Sequence, residues 1–189
     1  MNRRDAIERV ALLVGGTVIG GQLFIAGCKS TPKSVNALFN ADQVAFLNEV
    51  GETILPATQT PGAKAADVGS FMAIMVLDCY TPEDQKTFMA GLTKIDEESN
   101  KMFGKNFLDC DAKQRTELLT TLDKAQKKES KLPKPGVQYQ YFSMIKQMTL
   151  LGYFTSEVGC TKALRYVPVP GHFDGNLPYK KGDKAWALA

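Results

Sequence analysis

The feature that most constrains the fold of this chain is a helix start at Asn40. Gln43 follows three residues later, which is the spacing of a capping box, where each side chain bonds the backbone N–H of the other residue. Apolar residues then recur every three or four positions, the period of one buried helix face. Pro56 interrupts this pattern. The segment between Asn40 and Pro56 therefore predicts an amphipathic helix that needs other helices to cover it.

Two later segments begin in the same way. Thr81 is followed by Pro82 and two acidic residues, a combination that favours a helix N-terminus through capping, a preset φ and the helix dipole. Asp111 precedes Gln114 at capping-box spacing and opens a further helix. These starts predict a third and a fourth helix.

Apolar periodicity predicts two more helices, over about 65–79 and about 137–153. The second of these is apolar on nearly every side, which predicts that it is the most buried helix. No segment shows the alternation of a half-buried strand. The sequence therefore predicts an all-α bundle of about five helices, with an irregular, proline-containing C-terminal tail from about Val167.

Charge and cofactor motifs exclude several functions. The formal net charge is only +3, and nucleic-acid binding needs clustered cations, so we expect no nucleic-acid partner. The single histidine, His172, lies in no Cys-x-x-Cys-His sequence, and no glycine-rich phosphate loop is present. We therefore expect neither a metal nor a cofactor in this chain.

The N-terminus has the pattern of an export signal. Arg3 and Arg4 precede an apolar run over residues 10–25 that contains four glycines, too many for a stable buried helix. A basic start and a short apolar run are typical of a signal peptide, and the paired arginines favour the twin-arginine type. The general secretory route is the alternative.

The apolar run ends in Ile25-Ala26-Gly27-Cys28, which resembles a bacterial lipobox. Lipid on the Cys28 thiol would tether the exported chain to a membrane, facing the periplasm. The alternatives are an anchor helix or a chance Gly-Cys pair. The predicted organisation is a signal peptide over 1–27, a lipidated N-terminus and tether over 28–38, and a helical domain over 39–189.

Three further cysteines, Cys79, Cys110 and Cys160, allow one disulfide in three ways, and the sequence does not choose among them. Ser156, His172 and Asp174 would suit a hydrolase, although Ser156 lacks the usual nucleophile turn.

Glu52 stands just before the proline-containing loop. It is either a functional carboxylate or an exposed residue at a helix C-terminus, and the second interpretation is the simpler one.

Two segments resemble the gluconate 2-dehydrogenase subunit 3 family. They are Glu-Thr-Ile-Leu-Pro-Ala-Thr-Gln-Thr-Pro-Gly-Ala-Lys-Ala-Ala over 52–66, and Leu-Leu-Gly-Tyr-Phe-Thr-Ser-Glu over 150–157 with Tyr-Val-Pro-Val-Pro-Gly over 166–171. The resemblance covers about residues 39–178. Gln59 departs from the family pattern, which has an acidic residue there, and the lipobox departs from the plain cleavable signal of many relatives.

The resemblance implies a non-catalytic small subunit. Its partner would be a large FAD-containing dehydrogenase subunit of the glucose-methanol-choline class, which oxidises a sugar, sugar acid or polyol. A cytochrome c subunit often takes the electrons, and the small subunit assists export and maturation. The alternative is a free-standing lipoprotein binding module without a redox partner.

We expect the partner to contact the proline loop and the proline-rich tail, since both offer stiff backbone and apolar surface. The alternative for the tail is packing on its own bundle. The candidate partner-binding residues are Thr58, Thr60, Pro61, Gly62, Tyr153, Pro168, Pro170 and Gly171.

Overall fold

Five α-helices make up most of the described chain. The structure is a computed structural model and describes residues 34–130, 140–169, 171–172 and 174–187. The helices are α1 (Ala41–Ile54), α2 (Val68–Cys79), α3 (Pro82–Phe103), α4 (Ala112–Glu129) and α5 (Gln140–Thr155). Within these ranges only two isolated β-bridges occur and no strand forms. The predicted all-α bundle is confirmed, while Arg3, Arg4, Cys28 and Pro170 lie outside the described residues.

The predicted helix starts form as the sequence indicates. In α1 the Gln43 N–H donates to Asn40 Oδ1 at 2.8 Å, and the Asn40 N–H donates to Gln43 Oε1 at 3.0 Å. Asp111 and Gln114 make the same reciprocal pair at the start of α4. These bonds satisfy backbone donors that a helix N-terminus leaves unpaired.

The second helix begins later than predicted. Residues Ala63–Ala66 form a 3-10 turn, and Asp67 takes a left-handed conformation with φ of 48° before α2 starts. The side chain of Asn48, on α1, supports this break, because its Nδ2 donates to Asp67 Oδ1 and its Oδ1 accepts from the Gly69 N–H, both at 2.8 Å. A bond from another helix fixes this boundary, so local periodicity places it too early.

Helix α5 packs against all four other helices and is the centre of the core. Tyr141 and Ile145 are fully buried, and Gly91 of α3 lies so close to the Tyr141 ring that a Cβ there would clash. The prediction that α5 is the central helix is therefore confirmed, but it is not buried on every side. Leu151 is 43% exposed, because no described element covers that face.

Among the residues that the structure describes, no helix is both long enough and apolar enough to span a bilayer.

Candidate functional site

The loop that joins α1 to the 3-10 turn is built around one carboxylate. Glu52, in the last turn of α1, accepts the Ala57 N–H on Oε1 and the Lys64 N–H on Oε2, each at 2.8 Å. The two donors stand at opposite ends of the loop, so the carboxylate holds the ends together. The simpler interpretation of Glu52, an exposed helix residue, is therefore wrong. The side chain is half-buried and organises the loop.

Gly62 closes this loop over the Glu52 carboxylate. A Cβ on Gly62 would lie 2.3 Å from both carboxylate oxygens and 2.6 Å from the Ala57 nitrogen. Any larger residue would have to push the carboxylate out of its two hydrogen bonds. The Ala63 N–H also donates to the Leu55 carbonyl at 2.9 Å, which fixes the exit of the loop beside its entrance.

Tyr153 of α5 holds the loop from the other side. Its hydroxyl donates to the Pro61 carbonyl at 2.6 Å, and its side chain is only 4% exposed. This bond joins the two segments that carry the family resemblance, although they stand far apart in the sequence.

The predicted partner-binding residues divide into two groups by exposure. Thr58 and Pro61 are exposed and Thr60 is half-buried, so their surfaces are open to a partner. Gly62 and Tyr153 are buried inside this domain, so they position the loop and are not available to touch a partner directly. In the tail, Pro168 and Gly171 are exposed.

Comparison with known families decides the assignment. The family model described as gluconate 2-dehydrogenase subunit 3 matches residues 41–171, which is more than half of the chain. The chain belongs to this family. The match contains both segments that meet at the Tyr153–Pro61 hydrogen bond. A search of curated proteins and a search of solved structures gave no significant match.

Membership of the subunit 3 family makes this chain an accessory subunit of a dehydrogenase complex, and other subunits of that complex are its partners. The resemblance stated from the sequence is thus confirmed at the level of the family.

The tail of this subunit 3 chain leaves the bundle and returns to it. The Arg165 N–H donates to the Ala185 carbonyl at 2.8 Å, the Ala187 N–H donates to the Arg165 carbonyl at 2.9 Å, and the Arg165 guanidinium lies 4.6 Å from the centre of the Trp186 ring. All described residues from 166 to 186 are exposed. In its described residues, the tail is therefore closed at its base but is not packed on its own bundle.

An ion-paired cluster lies beside the loop in this chain, and the sequence analysis did not predict it. Glu49 pairs with Lys64 and, at 2.9 Å, with Arg115 of α4. Arg115 also donates to the Phe107 and Leu108 carbonyls. The cluster lines a pocket of about 390 Å³. Because the Glu49 carboxylate binds both cations and Arg115 also binds two backbone carbonyls, we interpret the cluster as a cross-link between α1 and α4.

The electrostatics of Glu49 fit this structural role. The hydrogen bond from Lys64 is the largest influence and lowers the pKa of the Glu49 carboxyl below its ordinary 4.5, although partial burial opposes it. The positive charges of Lys64 and Arg115 lower the pKa further. No local motif marks Glu49 and Arg115 as partners, since 66 positions separate them.

The cysteines and Ser156 form neither the disulfide nor the triad that the sequence left open. Cys79, Cys110 and Cys160 are all free thiols, so no disulfide joins them. The Ser156 hydroxyl donates to the Tyr153 carbonyl at 2.7 Å and accepts from the Gly159 N–H at 3.0 Å, and neither partner belongs to the suggested hydrolase triad. In the described ranges, no group of three or more metal-ligating side chains converges.

Proposed function

We propose that this chain is the non-catalytic small subunit of a periplasm-facing, FAD-dependent dehydrogenase that oxidises a sugar, sugar acid or polyol. Its role is to bind the large flavin-carrying subunit and to assist its export, maturation and membrane anchoring. Membership of the subunit 3 family supports the accessory role. The large subunit would supply FAD and the catalytic residues.

One observation carries the binding part of this proposal, namely the loop held by Glu52 and Tyr153. Three hydrogen bonds of 2.6 to 2.8 Å fix the loop backbone from the inside. Its outer residues, from Ala57 to Gln59, are exposed. A loop that is already ordered loses little conformational entropy when a partner covers it, which favours its use as a binding element. The exposed tail around Pro168 is a second candidate, because each proline fixes its own φ and so reduces the conformational entropy that is lost on binding.

The export and anchoring parts rest on the N-terminal sequence. A flavoprotein folds around FAD before export, so it needs a route for folded proteins. Arg3 and Arg4 would provide that route to a partner that is bound to this chain, and lipid on Cys28 would then hold the complex at the membrane. A cytochrome c subunit is a further candidate partner, as the acceptor of the electrons.

Affinity purification of the tagged full chain from native membranes tests the proposal. We expect a large subunit to co-purify and the eluate to show a flavin absorbance spectrum. Replacement of both Arg3 and Arg4 by Lys should leave the flavin subunit in the cytoplasm. A chain that elutes alone as a stable monomer would contradict the proposal and favour a free-standing lipoprotein module.

A further inference from the structure

Helix α5 exposes three large apolar residues near its C-terminal end. Leu150 is 38% exposed, Leu151 is 43% exposed and Phe154 is 38% exposed. Residues four apart share a helix face, so Leu150 and Phe154 are neighbours, with Leu151 beside them. Single exposed apolar residues are normal on a soluble protein, whereas apolar residues that adjoin one another are a feature of interaction surfaces.

This cluster adjoins the loop described above. The Phe154 ring packs edge-on against the Tyr153 ring, with 5.1 Å between the ring centres, and the Tyr153 hydroxyl binds the Pro61 carbonyl. Tyr153 therefore sits between Phe154 and the loop and connects them. We call the loop residues 56–61 together with Leu150, Leu151 and Phe154 the uncharged surface.

Both segments of this surface lack charge. Residues 53–63 and residues 147–156 contain no Asp, Glu, Lys or Arg, in a chain in which 23% of residues are charged. Charged residues resume at once on either side, at Glu52 and Lys64 for the first segment and at Lys146 and Glu157 for the second. An apolar centre depleted of charge within a polar rim is the composition of a protein–protein interface core.

We propose that the uncharged surface is one docking site, and that its occupant is an uncharged, apolar patch on the flavin-carrying subunit of the complex. This inference rests on the proposed function, because it takes the existence of that subunit from it. The centre of the site is the Leu150 and Phe154 pair, which supplies the buried apolar area. The loop supplies a stiff polar rim through Thr58 and Gln59.

The chemistry of the surface selects this kind of partner. A nucleic acid or an anionic membrane binds through clustered cations, and the uncharged surface has none. An interface that depends on apolar burial is insensitive to salt, since salt screens charges and does not weaken apolar contacts. We therefore expect the complex to persist at about 1 M salt, where the Debye length is about 3 Å.

Three substitutions in the tagged full chain test the site. Leu150→Glu and Phe154→Glu each place a charge at its centre. Met102→Glu is the matched control, because Met102 is also 38% exposed but lies at the end of α3, beside the charged Lys101. The readout is flavin absorbance per tagged chain after purification from native membranes, at low salt and at about 1 M salt.

We expect Leu150→Glu and Phe154→Glu to reduce flavin recovery about tenfold or more at both salt concentrations, as loss of an interface hot spot does. Met102→Glu and the conservative Phe154→Leu should retain the flavin subunit. Thermal unfolding of each variant shows whether it is folded. If the Leu150→Glu variant is unfolded, Leu150→Ser takes its place.

The possible outcomes separate the two proposals. Full flavin recovery by folded Leu150→Glu and Phe154→Glu would overturn the docking site and leave the proposed function standing. No flavin recovery by the unsubstituted chain would overturn the proposed function itself. Binding of a Cys28→Ser chain, which lacks the predicted lipid, to zwitterionic vesicles would assign the surface to a membrane and overturn the proposed partner if Leu150→Glu abolished it.

Discussion

The Tyr153 hydroxyl donates a 2.6 Å hydrogen bond to the carbonyl of Pro61, 92 positions earlier in the chain. Tyr153 belongs to the central helix α5, and Pro61 belongs to the loop that follows α1. The bond therefore fixes an exposed loop to the most buried helix of the bundle. The loop is positioned by the core, which is a requirement for a binding element of defined shape.

Tyr153→Phe should loosen this loop without unfolding the domain. The ring keeps its packing, while one hydrogen bond is lost, at a cost of about 1 kcal/mol in the free energy of unfolding. Amide hydrogen exchange should become faster at Ala57 and Lys64, whose N–H groups lie in the same loop. Tyr179→Phe is the control, since Tyr179 is 76% exposed and should change neither measurement. Unaltered exchange in Tyr153→Phe would show that the bond does not order the loop.

Gly62→Ala should destabilise the domain through its contact with Glu52. The added methyl would lie 2.3 Å from the carboxylate oxygens, and such overpacking costs about 1–3 kcal/mol. In a Glu52→Ala background the same substitution should cost less, because the carboxylate that it displaces is gone. Urea denaturation of both single variants and the double variant measures this coupling. If Gly62→Ala cost the same free energy of unfolding with and without Glu52, the proposed contact would be contradicted.

The Glu49 cluster should make stability depend on acid pH. The pKa of Glu49 is lowered in the folded chain, so its contribution is complete above the unfolded value of 4.5 and is lost as the pH falls through the lower folded value. Glu49→Gln should therefore reduce the free energy of unfolding at neutral pH and have progressively less effect below pH 4.5.

The exposed Glu97 provides a control for this experiment. Glu97→Gln removes one negative charge without touching the cluster and should leave the pH profile unchanged. Chemical denaturation across the acid range is the measurement. A loss of stability in Glu49→Gln that is the same at every pH would indicate a packing effect and would contradict the ion-pair interpretation.

The three thiols of the described domain should react at different rates. Cys79 is exposed, whereas Cys110 is only 5% exposed and its Sγ lies 3.2 Å from the Ser99 hydroxyl. A thiol reagent should therefore modify Cys79 quickly and Cys110 only after unfolding. The assay uses a Cys28→Ser chain to remove the predicted lipidation site, and Cys79→Ser should abolish the fast phase. A disulfide found between any two of these residues would contradict the free-thiol state.

The sequence alone determined the number of helices, several of their starts and the family. The capping boxes at Asn40 and Asp111 each join residues only three positions apart, so they can be predicted from the sequence without knowledge of the fold. The buried faces follow from helical periodicity for the same reason. The boundary of α2 was misplaced because a side chain from another helix, Asn48, sets it.

Only the tertiary structure decided how the site is built. The family segments could be recognised in the sequence, but the burial of their residues could not. Only the structure shows that Tyr153 and Gly62 are buried and support the loop, while Thr58 is exposed. Glu49 and Arg115 gave no sequence signal either, because their pairing exists only once α1 and α4 are packed. Local backbone preferences reach three or four residues along a chain, whereas these contacts depend on how whole helices fit together in the core.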